Sequence, residues 1–284
     1  MPTINQLKDI LEESKSLKLV TEALGELSAM ELKSTRDDVE QNTIFFNEIA
    51  KIYQQVQTIA SRNQLVNKKT VVINPKNSKT ISILLTSNRS FYGGLDRALA
   101  ELFISTSDQY PGDKLVIGNF GITYLLDSHF DHTFEKATFE GDLPTPIELQ
   151  KLVDQTISYS RILLYHPKFI TPLRQEPEIS DITQGAEKTT DTATIDYILE
   201  PELDKMLGFF ENQLLTLLFK AIFLQSRLSR TAARMISMYE AELNVEKEIM
   251  GERQELIKKT RDHQNILILE TYAGLFNRVS YLDK

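Results

Sequence analysis

The sequence predicts an α/β protein: a long antiparallel coiled coil of the N- and C-terminal helices, with an inserted Rossmann-like α/β domain. Three observations lead there. Eight of the nine prolines fall between Pro75 and Pro201 and the ninth is Pro2, so both ends are free to stay helical while the middle turns. Leu203, Leu207, Phe210, Leu214, Leu217, Ala221, Leu224, Leu228, Thr231, Met235 and Met238 succeed one another at steps of four and three, a sustained heptad seam. From Lys79 the period changes, and short β-rich runs alternate with helical ones. The expected boundaries are 1–66 for the first coiled-coil helix, 67–200 for the α/β insert and 201–284 for the last helix.

In the first helix Leu7, Ile10, Leu17 and Leu24 follow heptad spacing, with Ser14 and Thr21 at intervening core positions. Val39, Ile44, Phe46, Ile49, Ile52, Val56 and Ile59 continue the apolar stripe. Thr80–Thr86 then reads as a buried strand, Ser87–Gly94 as a turn and Leu95–Ser105 as a helix. Leu115–Gly118 is a second strand, Ile122–His129 and Pro146–Tyr159 are helices, and Arg161–Tyr165 is a third strand. Further strands are expected within Phe169–Ile182 and Thr194–Leu199, and a polar loop at Gly185–Thr194. Alternation of strand and helix implies a mainly parallel sheet. Beyond the seam, Val245, Ile249, Leu256, Ile266 and Leu269 carry a looser apolar stripe along the last helix. A helix this long must pair with another, and the N-terminal one is the available antiparallel partner.

Composition narrows the chemistry. Among 284 residues 41% are apolar, sufficient to bury a core, and none is cysteine, which excludes disulfides, thiolate metal sites and a cysteine nucleophile. No uninterrupted run of about 18 apolar residues occurs, so no direct membrane insertion is expected. The N-terminal sequence MPTINQLKDILEE lacks a basic lead and apolar stretch, so no signal peptide is expected. A net charge of −8 argues against a nucleic-acid partner. The acidity resides outside the last helix, which keeps enough basic side chains to meet a negative partner.

Several clusters are candidates for chemistry. The strand-to-helix loop TSNRSFYGGLDRA, with Gly93 and Gly94, is either a phosphate-approaching loop or a structural turn; neither a dinucleotide fingerprint nor a Walker Lys-Ser/Thr accompanies it. His129 and His132 beside Asp127 and Asp131 are either metal ligands or a solvated helix end. His166 and His263 have no visible nucleophile partner. Arg227, Arg230 and Arg234 share one helical face. No catalytic constellation and no cofactor motif emerges.

The segment Ser229–Asn244, SRTAARMISMYEAELN, resembles the C-terminal signature of the gamma subunit of F-type ATP synthases, S-E-x-A-A-R-M-x-A-M-x-x-A-T-x-N. Ser229, Ala232, Ala233, Arg234, Met235, Met238, Ala241 and Asn244 match, while Arg230 replaces Glu, Ser237 replaces Ala and Glu242 replaces Thr. Val20, Thr21 and Ala23 match an N-terminal I-T-x-A-M stretch. The loop TSNRSFYGGL resembles S-T-D-R-G-L-C-G-G-x-N, keeping Arg89, Gly93 and Gly94 and departing at Asn88, Ser90, Phe91, Tyr92 and Asp96. Phe169, Ile170, Gln175 and Pro177 match a strand-loop element, and Asp196, Tyr197, Glu200 and Pro201 the D-Y-x-x-E-P before the last helix.

The resemblance implies a divergent bacterial member, peripheral on the cytoplasmic face of the inner membrane. It implies a non-catalytic central-stalk rotor subunit without cofactors, coupling ion flow to conformational changes in the catalytic head. Its implied partners are a ring of catalytic and non-catalytic ATPase subunits, the epsilon subunit and the membrane c-ring. Implied ring contacts are Thr21, Arg230, Arg234, Met238, Arg261, Gln264 and Glu270, with an intramolecular ion pair as the alternative for Arg234; implied contacts of the insert are Arg89, Gly93 and Gly94. The pattern near Arg261 is shifted from the family's Arg-Gln and Ile-Thr-x-Glu. The alternatives are the rotor of a paralogous F-type-like ATPase not devoted to ATP synthesis, or a coiled-coil scaffold with an α/β ligand-binding domain.

Overall fold

After Pro2 the chain meets no helix breaker and enters α1 at Ile4, leaving it at Arg62. Thr3 begins it as a capping box: its hydroxyl accepts from the Gln6 N–H at 3.3 Å while its own N–H donates to Gln6 Oε1 at 2.7 Å. The computed structural model describes residues 2–62, 79–184 and 203–282. Within these, α1 is followed by β1 (Thr80–Leu85), α2 (Leu95–Thr106), β2 (Asp113–Ile117), α3 (Asn119–Asp127) and β3 (Glu135–Ala137). Next come α4 (Pro146–Thr156), β4 (Arg161–Thr171), β5 (Arg174–Asp181), a 3₁₀ turn at Ile182–Gln184 and α5 (Leu203–Leu282). The expected strand at Thr194–Leu199, the loop Gly185–Thr194 and the motif residues Asp196, Tyr197, Glu200 and Pro201 lie outside the described residues.

The chain forms two compact units, 1–27 with 235–284 and 28–234. These cut across the linear boundaries expected from sequence, because the sheet shares one core with parts of both long helices. In the first unit, Lys18 Nζ meets Glu246 Oε1 at 3.2 Å and Ser14 donates to Glu252 Oε1 at 3.1 Å. Lys259 Nζ reaches the Pro2 carbonyl at 2.6 Å. Rising numbers on one helix meet falling numbers on the other, so the pair is antiparallel. In the second unit Asn42 Nδ2 donates to the Leu217 carbonyl at 3.4 Å and Tyr53 Oη to Glu211 at 3.3 Å, in the same sense.

The seam of α1 differs from the expected one. Leu7, Ser14 and Thr21 point inward, but Ile10 and Leu17 are exposed, and the companion row is Ile4, Leu11, Lys18 and Gly25. A Cβ on Gly25 would lie 3.8 Å from that of Met238, so the helices come close on that row and it, not the row of Ile10, faces the partner. In the second unit Val39, Phe46, Ile49 and Val56 are inward while Ile44 and Ile52 are exposed; the side chain of Ile59 lies outside the described set. Small or polar Ser28, Thr35 and Asn42 occupy buried seam positions there.

On α5, Leu207, Leu214, Leu217, Leu224, Leu228, Thr231 and Met238 are buried, with Phe210, Ala221 and Met235 half-buried; the side chain of Leu203 lies outside the described set. Val245 is buried and Leu256 half-buried, but Ile266 and Leu269 are exposed, so the inward stripe ends earlier than expected. Between Met206 and Ala273, α5 contains an 18-residue window of mean hydropathy 1.4, long and apolar enough to cross a membrane by composition alone. Leu214, Leu215, Phe219, Ile222 and Phe223 spend that apolarity inside a protein core.

The sheet runs β3-β2-β1-β4-β5, parallel except for β5, which pairs antiparallel with β4. Alternation along β1 sends Ile81, Ile83 and Leu85 to one face and Leu84 to the other. The first face packs on Leu152 and Val153 of α4, Tyr53 and Val56 of α1, and Leu214, Phe219 and Phe223 of α5. The second packs on Leu99 and Phe103 of α2 and Leu125 of α3. Burial on both faces explains the consecutive apolar residues Ile83–Leu85 of β1. Strand β3, three residues with only Ala137 packed on the core, had no apolar pattern by which the sequence could announce it.

Candidate functional site

The C-terminal end of β1 turns through Thr86–Gly94 into α2. Thr86 Oγ lies 2.8 Å from the Ile117 carbonyl and accepts from the Gly121 N–H at 2.9 Å, and Asn88 accepts from the Asn119 N–H at 3.0 Å and donates to the Phe139 carbonyl at 2.8 Å. These bonds tie the loop to the start of α3. Gly93 has φ +60°, a left-handed turn position that suits glycine, and Phe91 adopts φ +74° despite its side chain. Gly94 is the residue before α2 and offers no side-chain cap. The local anion is instead Asp96 in the first turn, buried and hydrogen-bonded by the Ser87 hydroxyl. A carboxylate at the positive end of α2 already complements the helix dipole, so a phosphate brought there would meet like charge. The glycines therefore build a structural turn.

Asp96 answers to Arg230. Nε of Arg230 donates to Asp96 Oδ1 at 3.1 Å, and Nη2 donates to the Leu85 carbonyl at 2.6 Å, with Arg230 only 4% exposed. Beside it the Ser229 hydroxyl lies 3.1 Å from the Pro167 carbonyl of β4. His166, also of β4, is buried; its Nδ1 lies 3.3 Å from the Pro167 carbonyl and its Nε2 2.8 Å from Ser180 Oγ. Because a carbonyl only accepts, the first contact puts the ring proton on Nδ1 and makes Nε2 the acceptor from Ser180.

Arg234, one turn on, joins three elements. Its Nε donates to Ser28 Oγ at 2.8 Å, Nη2 donates to Glu31, and the guanidinium lies 5.8 Å from the centroid of the Tyr92 ring. Tyr92 is buried and its hydroxyl lies 3.4 Å from Asp142 Oδ2; burial, then the Asp142 charge, pushes its pKa up to about 12. Of the two readings of Arg234, the structure holds the intramolecular ion pair. Arg230 likewise turns inward, and Thr21 and Met238 are buried in the first unit, their bulk spent on helix packing. All four side chains are thus packed within the chain itself. Arg234→Met is expected to cost about 2 kcal/mol, less than a fully buried pair because Glu31 is 27% exposed and can rehydrate. Arg234→Lys should recover under half of that, since an ammonium cannot make the forked contact to Ser28 and Glu31. Urea midpoints at constant slope give the comparison.

Arg261, Gln264 and Glu270 are exposed on α5, as is every residue from 261 to 273. Arg89 is exposed and stands 3.7 Å from Asp142. His132 pairs with Asp108 at 2.9 Å and His129 contacts the Asp127 carbonyl at 3.0 Å; among the described residues no group of three potential ligands could hold a metal ion. An open groove of about 390 Å³ runs between Asn88–Ser90 and Phe120–Asp127. The α3 N–H groups at its edge are already taken, by Asn88, the Ser87 carbonyl and Thr86, which removes the donors an anion would need. Sequence reasoning missed Asp96, Ser87, Ser28, Glu31 and Ser229 as partners. A usable signal existed: Asp96 and Arg230 both depart from the family pattern, and their charges are opposite.

A family model described as ATP synthase matches residues 3–264. The chain belongs to the ATP synthase gamma-subunit family. Among curated relatives it is similar to the ATP synthase gamma chains of Clostridium perfringens, 22% identical over 252 residues covering 85% of this chain and 86% of that one, and of an Exiguobacterium species, 22% over 262 residues covering 88% and 90%. Among solved structures the fold resembles one chain in a structure of the central stalk and c-ring of Tetrahymena thermophila mitochondrial ATP synthase, with a TM-score of 0.58, 14% identity and coverage of 78% and 99%. A second, from Euglena gracilis mitochondrial ATP synthase, gives 0.55, 12%, 87% and 94%. The coiled coil with its α/β insert is thus the gamma-family fold.

Proposed function

We propose that this gamma-family chain is the central-stalk rotor subunit of a rotary ATP synthase, non-catalytic itself, coupling ion flow through a membrane c-ring to conformational changes in the head. The observation that carries the reading is the exposed stretch 261–273 of α5. Ile266, Leu267, Ile268, Leu269 and Tyr272 are all exposed there, beyond Lys259, which is bonded to the Pro2 carbonyl. Leu19, Val20, Leu27, Tyr239 and Met250 add apolar side chains to the outside of the same unit. A coiled coil meant for water would place charge on those surfaces; one lodged in a protein socket would not. Each site of a surrounding ring is then shifted by as much as the turning rod binds its states differently.

In this reading Arg261, Gln264 and Glu270 supply the polar ring contacts at the tip. Arg89, presented by the turn at Gly93 and Gly94, meets the epsilon subunit or the c-ring. The complex sits peripherally on the cytoplasmic face of a bacterial inner membrane. Co-expression with the two ring subunits tests it: an assembly with ATPase activity is expected, and failure to form one overturns the reading. Ile266→Asp combined with Leu269→Asp is expected to weaken that assembly at least about tenfold, since each places a charge where an apolar side chain should be buried. A rotor devoted to hydrolysis in a paralogous ATPase would assemble equally well, and is separated by whether an imposed ion gradient drives ATP formation.

A further inference from the structure

In a doubly wound sheet, ligands bind beyond the carboxyl ends of the strands, where the strand order reverses. Here the chain winds from β1 outward to β2 and β3, then returns to place β4 on the other side of β1, so the reversal lies between β1 and β4. The groups at that crevice are the Leu85 carbonyl, Ser87, Asp96 at the start of α2, and the Pro167 carbonyl next to His166. We propose that the crevice is a socket for a guanidinium group, filled by Arg230 from within the chain, and that this plug is the joint through which α5 turns the sheet. The first half stands on the geometry; the second rests on the rotor reading.

The geometry supports a specific socket. Arg230 presents its planar fork to two acceptors of different kinds, the backbone oxygen of Leu85 at 2.6 Å and the Asp96 carboxylate at 3.1 Å, and Ser87 holds the other oxygen of that carboxylate. Arg230, Asp96, Ser87 and Ser229 are each at least nine-tenths buried. The space left beside Arg230, bounded by Leu85, Ser87, Gly118 and Asp142, is about 10 Å³, no more than one water can use. The crevice therefore has no room for another ligand while the arginine is in it. An attachment here grips the central strand of the sheet and the first turn of α2, not an edge, so a twist of α5 reaches the part of the sheet bonded on both sides.

Chemical rescue separates a socket from a mere charge. The full-length Arg230→Ala chain should exchange the amide hydrogens of Leu95–Leu99 at least about tenfold faster than the parent. Guanidinium chloride at about 10 mM should restore most of that protection, while methylammonium chloride at the same concentration should not. The parent should respond to neither. Arg230→Lys, which keeps charge and length, should exchange like the alanine variant. If Arg230→Ala does not fold, the same comparison is run on Arg230→Lys against the parent, where parent-like exchange overturns the proposal. Absence of rescue, or equal rescue by both cations, overturns the socket. In the reconstituted complex, ions pumped per ATP hydrolysed should fall at least severalfold for Arg230→Ala and recover with guanidinium. An unchanged ratio alongside amide rescue keeps the socket and overturns the joint. Failure of the parent chain to assemble at all strikes the rotor reading and leaves the exchange result standing.

Discussion

Gly118→Ala is expected to destabilise the chain by more than about 4 kcal/mol, the largest effect of any single methyl group at the site. Gly118 follows β2 and precedes α3 with φ +101° and ψ +143°, a conformation open to glycine and strained for any L side chain. A Cβ there would stand 2.4 Å from the Thr86 carbonyl oxygen and 2.6 Å from its carbon, both backbone atoms. No rotamer relieves that contact, so β1 and β2 must part at their ends. Thr86 cannot move freely: its N–H donates to the Ile117 carbonyl at 2.8 Å and its hydroxyl supports the Gly121 N–H at 2.9 Å. The next residue, Ser87, holds Asp96, so the displacement runs straight into the Arg230 socket. Urea unfolding gives the stability change, and amide exchange at the start of α2 gives the displacement. A loss under about 1 kcal/mol would refute the account.

His166 should make stability fall with acid. Its imidazole titrates at about 4 instead of 6.5, first because it is buried; the Pro167 carbonyl and Glu178 pull upward, and Arg230 and Lys168 push further down. Unfolded, the ring takes its proton near 6.5; folded, it refuses it until about pH 4. Between those values the unfolded chain binds more protons, so stability rises with pH across this window. The contribution is intact above pH 6.5 and is lost progressively as pH falls towards 4, approaching about 3 kcal/mol. A charged His166 would also confront Arg230. His166→Asn should flatten the profile between pH 6.5 and 4 at the cost of some stability at neutral pH, as read from urea midpoints across the range. A variant as acid-sensitive as the parent would assign the loss to other groups.

The order of elements was largely legible because its signals are local. Proline position set where the long helices run, heptad spacing identified most of the α5 seam, and apolar runs marked β1, β2 and the first half of β4. What escaped was long-range. Nothing local distinguishes Ile10, which is exposed, from Leu11, which is turned inward; the close approach at Gly25 and Met238 decides between them. The motif around Arg234 was visible, but the direction of the side chain was not, because Ser28 and Glu31 lie some two hundred residues away in sequence. Taken alone, Asp96 is one more departure of the loop from the family pattern. Its meaning depends on Arg230, 134 positions on.

In the rotor reading, the exposed stretch 261–273 of α5 matters to the chain before assembly. Thirteen consecutive exposed residues, 261–273, include Ile266–Leu269 in an unbroken apolar run. In that reading, a copy made without its ring carries that run unprotected, and it offers a ready site to chaperones, proteases and other copies. Synthesis in excess of the ring is then self-limiting, and the expected abundance of the chain follows that of the ring that covers the helix.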